Sequence, residues 1–154
     1  LTYGNSVLPE ALLFAWVTTK NELYKQIAEQ SFTFLLSKII VDGSIKVISN
    51  QGWLQKENQE NKTFNGGEQP IDVAYTILAL SSFYKLLDDE KYLPIMLNSF
   101  NWFLGKNHLN QIIYNPVTGG CYDGLEEHNV NINQGAESTV SYLMARLSMS
   151  FQPV

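Results

Sequence analysis

An internal repeat constrains the fold of this chain more than any other feature of its sequence. Residues 69–72 (Gln-Pro-Ile-Asp) match residues 134–137 (Gln-Gly-Ala-Glu) at an offset of 65 residues. A unit that recurs at a fixed spacing has to bury its apolar face against the next copy of itself. A second set of positions matches at an offset of 68 residues: Tyr24, Ser31 and Phe32 with Tyr92, Ser99 and Phe100.

Apolar spacing in the repeated segments is helical, and it predicts five α-helices. The expected ranges are residues 8–19, 22–40, 70–87, 90–104 and 136–149. Ser6 is a candidate N-cap of the first helix. The connections after the second and fourth helices approach 30 residues, a length that usually carries function. Residues 44–48 and 52–55 look extended and predict a small hairpin in the first long connection.

The order of elements is therefore inner helix, short turn, outer helix and long loop, followed by the same again. Short turns make neighbouring helices antiparallel. We predict an all-α fold of antiparallel helical hairpins, in which the long loops and the N-termini of the first, third and fifth helices share one rim. An ordinary helical-hairpin array without an active site is the alternative.

Several short motifs in the second half of the chain add to this pattern. They are residues 69–72, 102–107 (Trp-Phe-Leu-Gly-Lys-Asn), 114–116 (Tyr-Asn-Pro), 118–125 (Thr-Gly-Gly-Cys-Tyr-Asp-Gly-Leu) and 131–139 (Asn-Ile-Asn-Gln-Gly-Ala-Glu-Ser-Thr). Over residues 65–150 the chain resembles the helical C-terminal domain of some bacterial glycosyltransferases, including mannosyltransferases. That domain is similar to the six-hairpin glycosidase superfamily.

The resemblance implies a closed ring of up to twelve helices with a sugar site at its centre. Five helices are about two and a half hairpins, so we expect residues 1–154 to form a single domain that is part of an (α/α)6 toroid. The chain starts at Leu1 instead of Met, and we expect it to be a fragment of a longer protein.

Charge and composition exclude several classes of partner and cofactor. The formal net charge is −5 with no Lys/Arg cluster, which argues against nucleic acid. No apolar run approaches the roughly 20 residues of a membrane span. Cys121 is the single cysteine, and His108 and His128 lack metal-ligand spacing, so we expect no disulfide, metal or other cofactor. A cytoplasmic location is favoured, although export also fits.

Carboxylates on the shared rim are the candidate catalytic groups. Glycoside cleavage uses one carboxylic acid to protonate the leaving oxygen and a second carboxylate as base or nucleophile. Asp72 and Glu137 occupy equivalent places in the third and fifth helices, and Asp123 lies between two glycines in the last long loop. Each has a structural alternative, since acids in a first turn stabilise the helix dipole and Asp is a common turn residue.

Amide and aromatic side chains are the candidate substrate-binding groups. Gln69, Asn133 and Gln134 precede the inner helices, and amides both donate to and accept from sugar hydroxyls. Trp53 and Tyr122 lie in the long loops, where exposed rings could stack on a sugar face. The leading hypothesis is a carbohydrate-active, glycosidase-like domain of a larger glycosyltransferase-type protein, with carbohydrate and the rest of that protein as partners. The alternatives are a non-catalytic module that binds a glycan or partner, and a purely structural scaffold.

Overall fold

A computed structural model describes residues 1–52, 54 and 65–150 of the chain. These residues form helical hairpins with two short β-ribbons, which confirms the all-α class. The helices are α1 (Val7–Thr19), α2 (Glu22–Ile39), α3 (Pro70–Leu87), α4 (Tyr92–Phe100) and α5 (Ala136–Ser150). The strands are β1 (Ile40–Val41), β2 (Ser44–Ile45), β3 (Gly124–Leu125) and β4 (Val130–Asn131).

The first hairpin, α1 and α2, is closed by a two-residue link. Lys20 ends α1 in the left-handed conformation, and its N–H donates to the carbonyl of Trp16. Asn21 then caps α2, because its side chain accepts a hydrogen bond from the N–H of Leu23. A link this short forces the two helices to run antiparallel, as the sequence predicted.

The second hairpin, α3 and α4, repeats this arrangement. Pro70 begins α3, where its missing N–H costs nothing, and Asp88 ends the helix in the left-handed conformation. The α4 helix ends at Phe100, four residues before the predicted end. Residues 101–105 continue instead as tight turns, and each N–H of residues 102–105 donates to the carbonyl three residues back, until Gly105 at φ 103°.

Aromatic side chains hold the helices together. Phe32 of α2 lies against Phe83 of α3, with ring centroids 4.4 Å apart, and Tyr92 of α4 completes the cluster. On α5, Tyr142 packs edge-on against Phe103 and stacks on Tyr114 at 5.1 Å. Buried aromatic pairs of this kind add about 0.5–1.5 kcal/mol beyond their burial, so each cluster fixes how neighbouring helices meet.

Two β-ribbons lie on the rim where α2 and α4 end and where α3 and α5 begin. In the first ribbon, Ile40 pairs with Ile45 and Val41 with Ser44 across a turn at Asp42 and Gly43, both of positive φ. β2 therefore takes β1 as its partner, and residues 53 and 55 of the second predicted strand (52–55) lie outside the described part of the chain. In the second ribbon, Gly124 pairs with Asn131 and Leu125 with Val130.

The α5 helix exposes an apolar face along its length. Val140, Leu143, Met144 and Leu147 follow helical spacing and are 39–59% exposed. In α3, 11 of 18 residues are buried, whereas the buried residues of α5 are Ser138, Ser141, Tyr142 and Ala145. The inner helix α3 is thus covered where α5 is not. Within the described ranges, no helix is both long and apolar enough to cross a membrane.

Candidate functional site

The start of α1 lies against the first turn of α3. The backbone N–H of Gly4 donates to Oδ1 of Asp72 at 2.7 Å, and the hydroxyls of Ser6 and Thr76 share a hydrogen bond of 2.8 Å. Ser6 occupies the N-cap position, but its side chain makes no capping bond. The predicted N-cap position of Ser6 is confirmed, but its hydroxyl bonds Thr76 of the neighbouring helix instead of an N–H of α1.

Asp72 is the most perturbed acid on this rim. It is only 8% exposed. The pKa of Asp72 is raised from 3.8 to about 6: burial is the main cause, the charge of the nearby Glu137 adds to the rise, and the bond from the Gly4 N–H opposes both. Glu137 itself is exposed in the first turn of α5. The two equivalent acids of the repeat are thus near enough for the charge of one to act on the other, and one is buried while the other is open to solvent.

Two tyrosines join this pair of acids, and the sequence reasoning missed both. Tyr3 is 49% exposed, and its pKa is raised by partial burial and then by the charges of Glu137, Tyr75 and Asp72. Tyr75 is half-buried on α3, three residues after Asp72. The spacing i, i+3 puts side chains on one helix face, and that signal could have identified Tyr75. We call Tyr3, Asp72, Tyr75 and Glu137 the rim cluster.

Asp123 sits at the start of β3 and braces α5. Its carboxylate accepts hydrogen bonds from the Gly135 N–H at 2.7 Å and from the side chain of Asn133. Burial raises the pKa of Asp123, but the hydrogen bonds from Asn133, Ser138 and Gly135 outweigh it, so the pKa is lowered. The acid therefore stabilises the N-terminus of α5, which carries Glu137.

The predicted substrate-binding amides differ in what their side chains do. Asn133 is exposed, but its side-chain amide already donates a hydrogen bond to Asp123. Gln134 is exposed, and its side-chain oxygen accepts a bond from the hydroxyl of Thr118. Gln69 is half-buried at the N-cap of α3 and makes no side-chain capping bond. Of the three, Gln69 has the amide that is least engaged within the described part of the chain.

Of the two predicted aromatic side chains, Tyr122 lies in the described part of the chain and Trp53 does not. Tyr122 is half-buried and packs against the hydrophobic core, while its backbone N–H donates to the carbonyl of Ile113. Trp53 lies outside the described residues. In residues 1–52, 54 and 65–150, no group of three or more His, Cys, Asp or Glu side chains could hold a metal ion.

Comparison with known proteins identifies the architecture. No protein-family model matches the chain, and no curated protein matches its sequence. Among solved structures, it is similar to the α-1,6-mannanase GH76A of Salegentibacter sp. HEL1_6, with a TM-score of 0.69 and 15% sequence identity. That structure is an inactive variant, in which two consecutive aspartates are replaced by asparagine, in complex with α-1,6-mannotriose.

The match covers 97% of this chain and 41% of the mannanase chain. The chain thus spans less than half the length of that enzyme. At this level of identity the likeness concerns the fold, which is that of antiparallel helical hairpins forming part of an (α/α)6 toroid.

Proposed function

We propose that the rim cluster binds a glycan and that the chain is a carbohydrate-active part of an (α/α)6 toroid. The observation that carries this proposal is that Asp72 and Glu137 lie in the first turns of adjacent inner helices, near enough for the charge of Glu137 to raise the Asp72 pKa. Tyr3 and Tyr75 lie beside them. Aromatic rings next to a few polar groups are the usual lining of a site for a small organic ligand.

The chemistry of the cluster suits glycoside cleavage. A pKa of about 6 leaves a fraction of Asp72 protonated near neutral pH, so it could deliver a proton to a leaving oxygen. Glu137, which is exposed beside it, supplies the second carboxyl group that such a reaction needs. In this mechanism Asp72 is the acid, and Glu137 is the base or nucleophile.

The other assigned residues stay predictions with different degrees of support. The contacts of Asp123 are those of a brace for α5, and a direct catalytic role for it needs a separate test. Gln69 is the best supported of the binding amides, because among the described residues its side chain makes no capping bond that a sugar hydroxyl would have to displace. Asn133 and Gln134 would have to release Asp123 and Thr118 to bind a sugar directly.

The alternative is a non-catalytic module that binds a glycan, and one observation favours it. The inactive mannanase variant replaces two consecutive aspartates. The only consecutive aspartates in this chain are Asp88 and Asp89, at the C-terminal end of α3 and so at the opposite rim from Asp72. The rim cluster therefore has no matching pair of aspartates.

We also propose that this single domain belongs to a larger toroid within a glycosyltransferase-type protein. The exposed apolar face of α5 supports the larger toroid, since the other inner helix, α3, is mostly buried. The match to only 41% of the mannanase chain also supports a larger toroid. The link to glycosyltransferases rests on the sequence motifs alone.

Calorimetric titration with α-1,6-mannotriose, with cellotriose as the control sugar, tests the proposal. The variants are Asp72→Asn and Glu137→Gln. The matched control is Asp88→Asn, the same chemical change at the other end of α3, where Asn tolerates the left-handed backbone. We expect both rim variants to weaken binding about tenfold or more and the control to bind as the wild type does.

Product analysis of the same mixtures separates the two versions of the proposal. Release of mannose or mannobiose that is lost in Asp72→Asn supports the enzyme, and binding without turnover supports the module. The proposal fails if no α-mannoside binds, or if affinity and turnover are unchanged in both rim variants.

A further inference from the structure

Glu68 is a buried acid outside the rim cluster, and it joins four segments of the chain. Its side chain is 3% exposed. Oε2 accepts a hydrogen bond of 3.0 Å from the indole N–H of Trp102, and Oε1 lies 3.3 Å from Nδ1 of His108. Its backbone pairs with Leu125 of β3 through two hydrogen bonds of 3.1 and 2.9 Å. Burial raises the pKa of Glu68, while Trp102, His108 and Lys46 oppose the rise.

His108 continues this network across the loop after β3. Its Nε2 lies 3.0 Å from the carbonyl oxygen of Glu126 and 3.3 Å from that of Glu127. A carbonyl can only accept, so Nε2 has to donate, and Nδ1 faces a carboxyl oxygen. A carboxylate and a neutral imidazole with its hydrogen on Nε2 would leave no hydrogen between Oε1 of Glu68 and Nδ1 of His108. One additional proton on the pair, shared between these two atoms, satisfies both contacts.

The segments that this pair connects are those that carry the two rim acids. Glu68 precedes Gln69 and the start of α3, and Asp72 lies in the first turn of that helix. The β3–β4 ribbon that His108 holds begins next to Asp123, which anchors the Gly135 N–H at the start of α5. Moving the ribbon relative to Glu68 would therefore change the separation between Asp72 and Glu137.

We propose that Glu68 and His108 are positioning residues that fix the distance between Asp72 and Glu137. This inference rests on the proposed glycan site, because the two acids matter only if the rim cluster binds. Neither residue touches the cluster, so both act through the backbone of α3 and of the β3–β4 ribbon. The segment before α3 packs closely against the loop after β3, since a Cβ at Gly66 would lie 2.1 Å from the backbone nitrogen of Glu127.

The conservative variant Glu68→Gln should preserve the network. The new amide oxygen can accept from Trp102, and its N–H can donate to Nδ1 of a neutral His108, which leaves Nε2–H to donate to the Glu126 carbonyl. Glu68→Ala and His108→Ala remove these contacts. His128→Ala is the matched control, because the side chain of His128 is 84% exposed and lies in the same loop.

Two measurements on the unliganded protein report the geometry. Amide hydrogen exchange of Leu125 and Gly135 follows the bonds that tie the ribbon to Glu68 and to α5. Carbon-13 NMR of Asp72 follows its pKa. We expect His108→Ala to speed both amides about tenfold or more and to lower the Asp72 pKa from about 6 towards 3.8, as water enters and Glu137 moves away. Glu68→Gln and His128→Ala should match the wild type.

The inference is overturned if folded His108→Ala keeps wild-type exchange and the wild-type Asp72 titration. Should that variant fail to fold, His108→Gln is measured instead and judged by the same criterion. Its amide can reach Glu68 or the Glu126 carbonyl but does not bridge both. Glycan titration of the same variants separates the two proposals. If exchange and titration respond but the wild type binds no glycan, the site proposal fails and the positioning role stands. If glycan binding is unchanged in His108→Ala, the positioning role fails alone.

Discussion

Replacing Asp72 by Asn should stabilise the protein, and the gain should depend on pH. Asn keeps an oxygen that can accept the Gly4 N–H, but it carries no charge to be desolvated. Each pKa unit corresponds to about 1.4 kcal/mol, so the rise of the Asp72 pKa from 3.8 to about 6 amounts to about 3 kcal/mol. This is the upper limit of the stabilisation expected when the wild-type carboxyl is ionised.

The sign of the pH dependence follows from the direction of the shift. The folded protein binds a proton at Asp72 more tightly than the unfolded chain does, so ionisation of Asp72 disfavours folding. The stability due to the protonated acid is fully present below about pH 4, is lost as pH rises towards 6 and stays lost above it. The advantage of Asp72→Asn should therefore be near zero at pH 4 and approach about 3 kcal/mol at pH 7.5.

Urea unfolding of both proteins at pH 4, 5, 6 and 7.5 measures this difference directly. Glu10 and Glu68 also have pKa values raised by burial, but their contributions are common to both proteins and cancel. A constant difference across this range, or a variant that is less stable at pH 7.5, would refute the reasoning. A gain in stability that accompanies loss of glycan binding is what a functional acid would show.

Three further substitutions test other parts of the structure. Asp123→Asn should cost about 1–3 kcal/mol of unfolding free energy at pH 7, and the loss should shrink below pH 4 as the wild-type carboxylate takes up its proton. Thermal unfolding should show a loss above about 3 kcal/mol for Gly66→Ala, which meets the backbone of Glu127, and only about 1–2 kcal/mol for Gly43→Ala, which has positive φ but open space. Leu147→Lys should change the free energy of unfolding in urea by less than about 0.5 kcal/mol, because Leu147 is 59% exposed; a large loss of stability would show that the α5 face is already covered.

The sequence alone was enough to predict the helices and the order in which they pair. Helical periodicity, the short links at residues 20–21 and 88–91 and the terminal signals at Pro70 are local properties of the chain. These signals also placed Asp72 and Glu137 on one rim, because both follow long loops at the start of inner helices. The helix ends were predicted less accurately: α4 ends at Phe100 instead of residue 104, because tight turns replace its last helical turn.

The tertiary structure decided what each acid can do. Asp72 owes its raised pKa to burial beneath the segment before α1, and the bond from the Gly4 N–H spans 68 positions of sequence. Asp123 braces α5, and Glu68 pairs with Trp102 and His108, through contacts that no spacing rule indicates. Periodicity fixes which face of a helix is apolar, but such contacts depend on how whole helices and ribbons pack. Desolvation, and with it the proton affinity of each carboxyl group, is set by that packing.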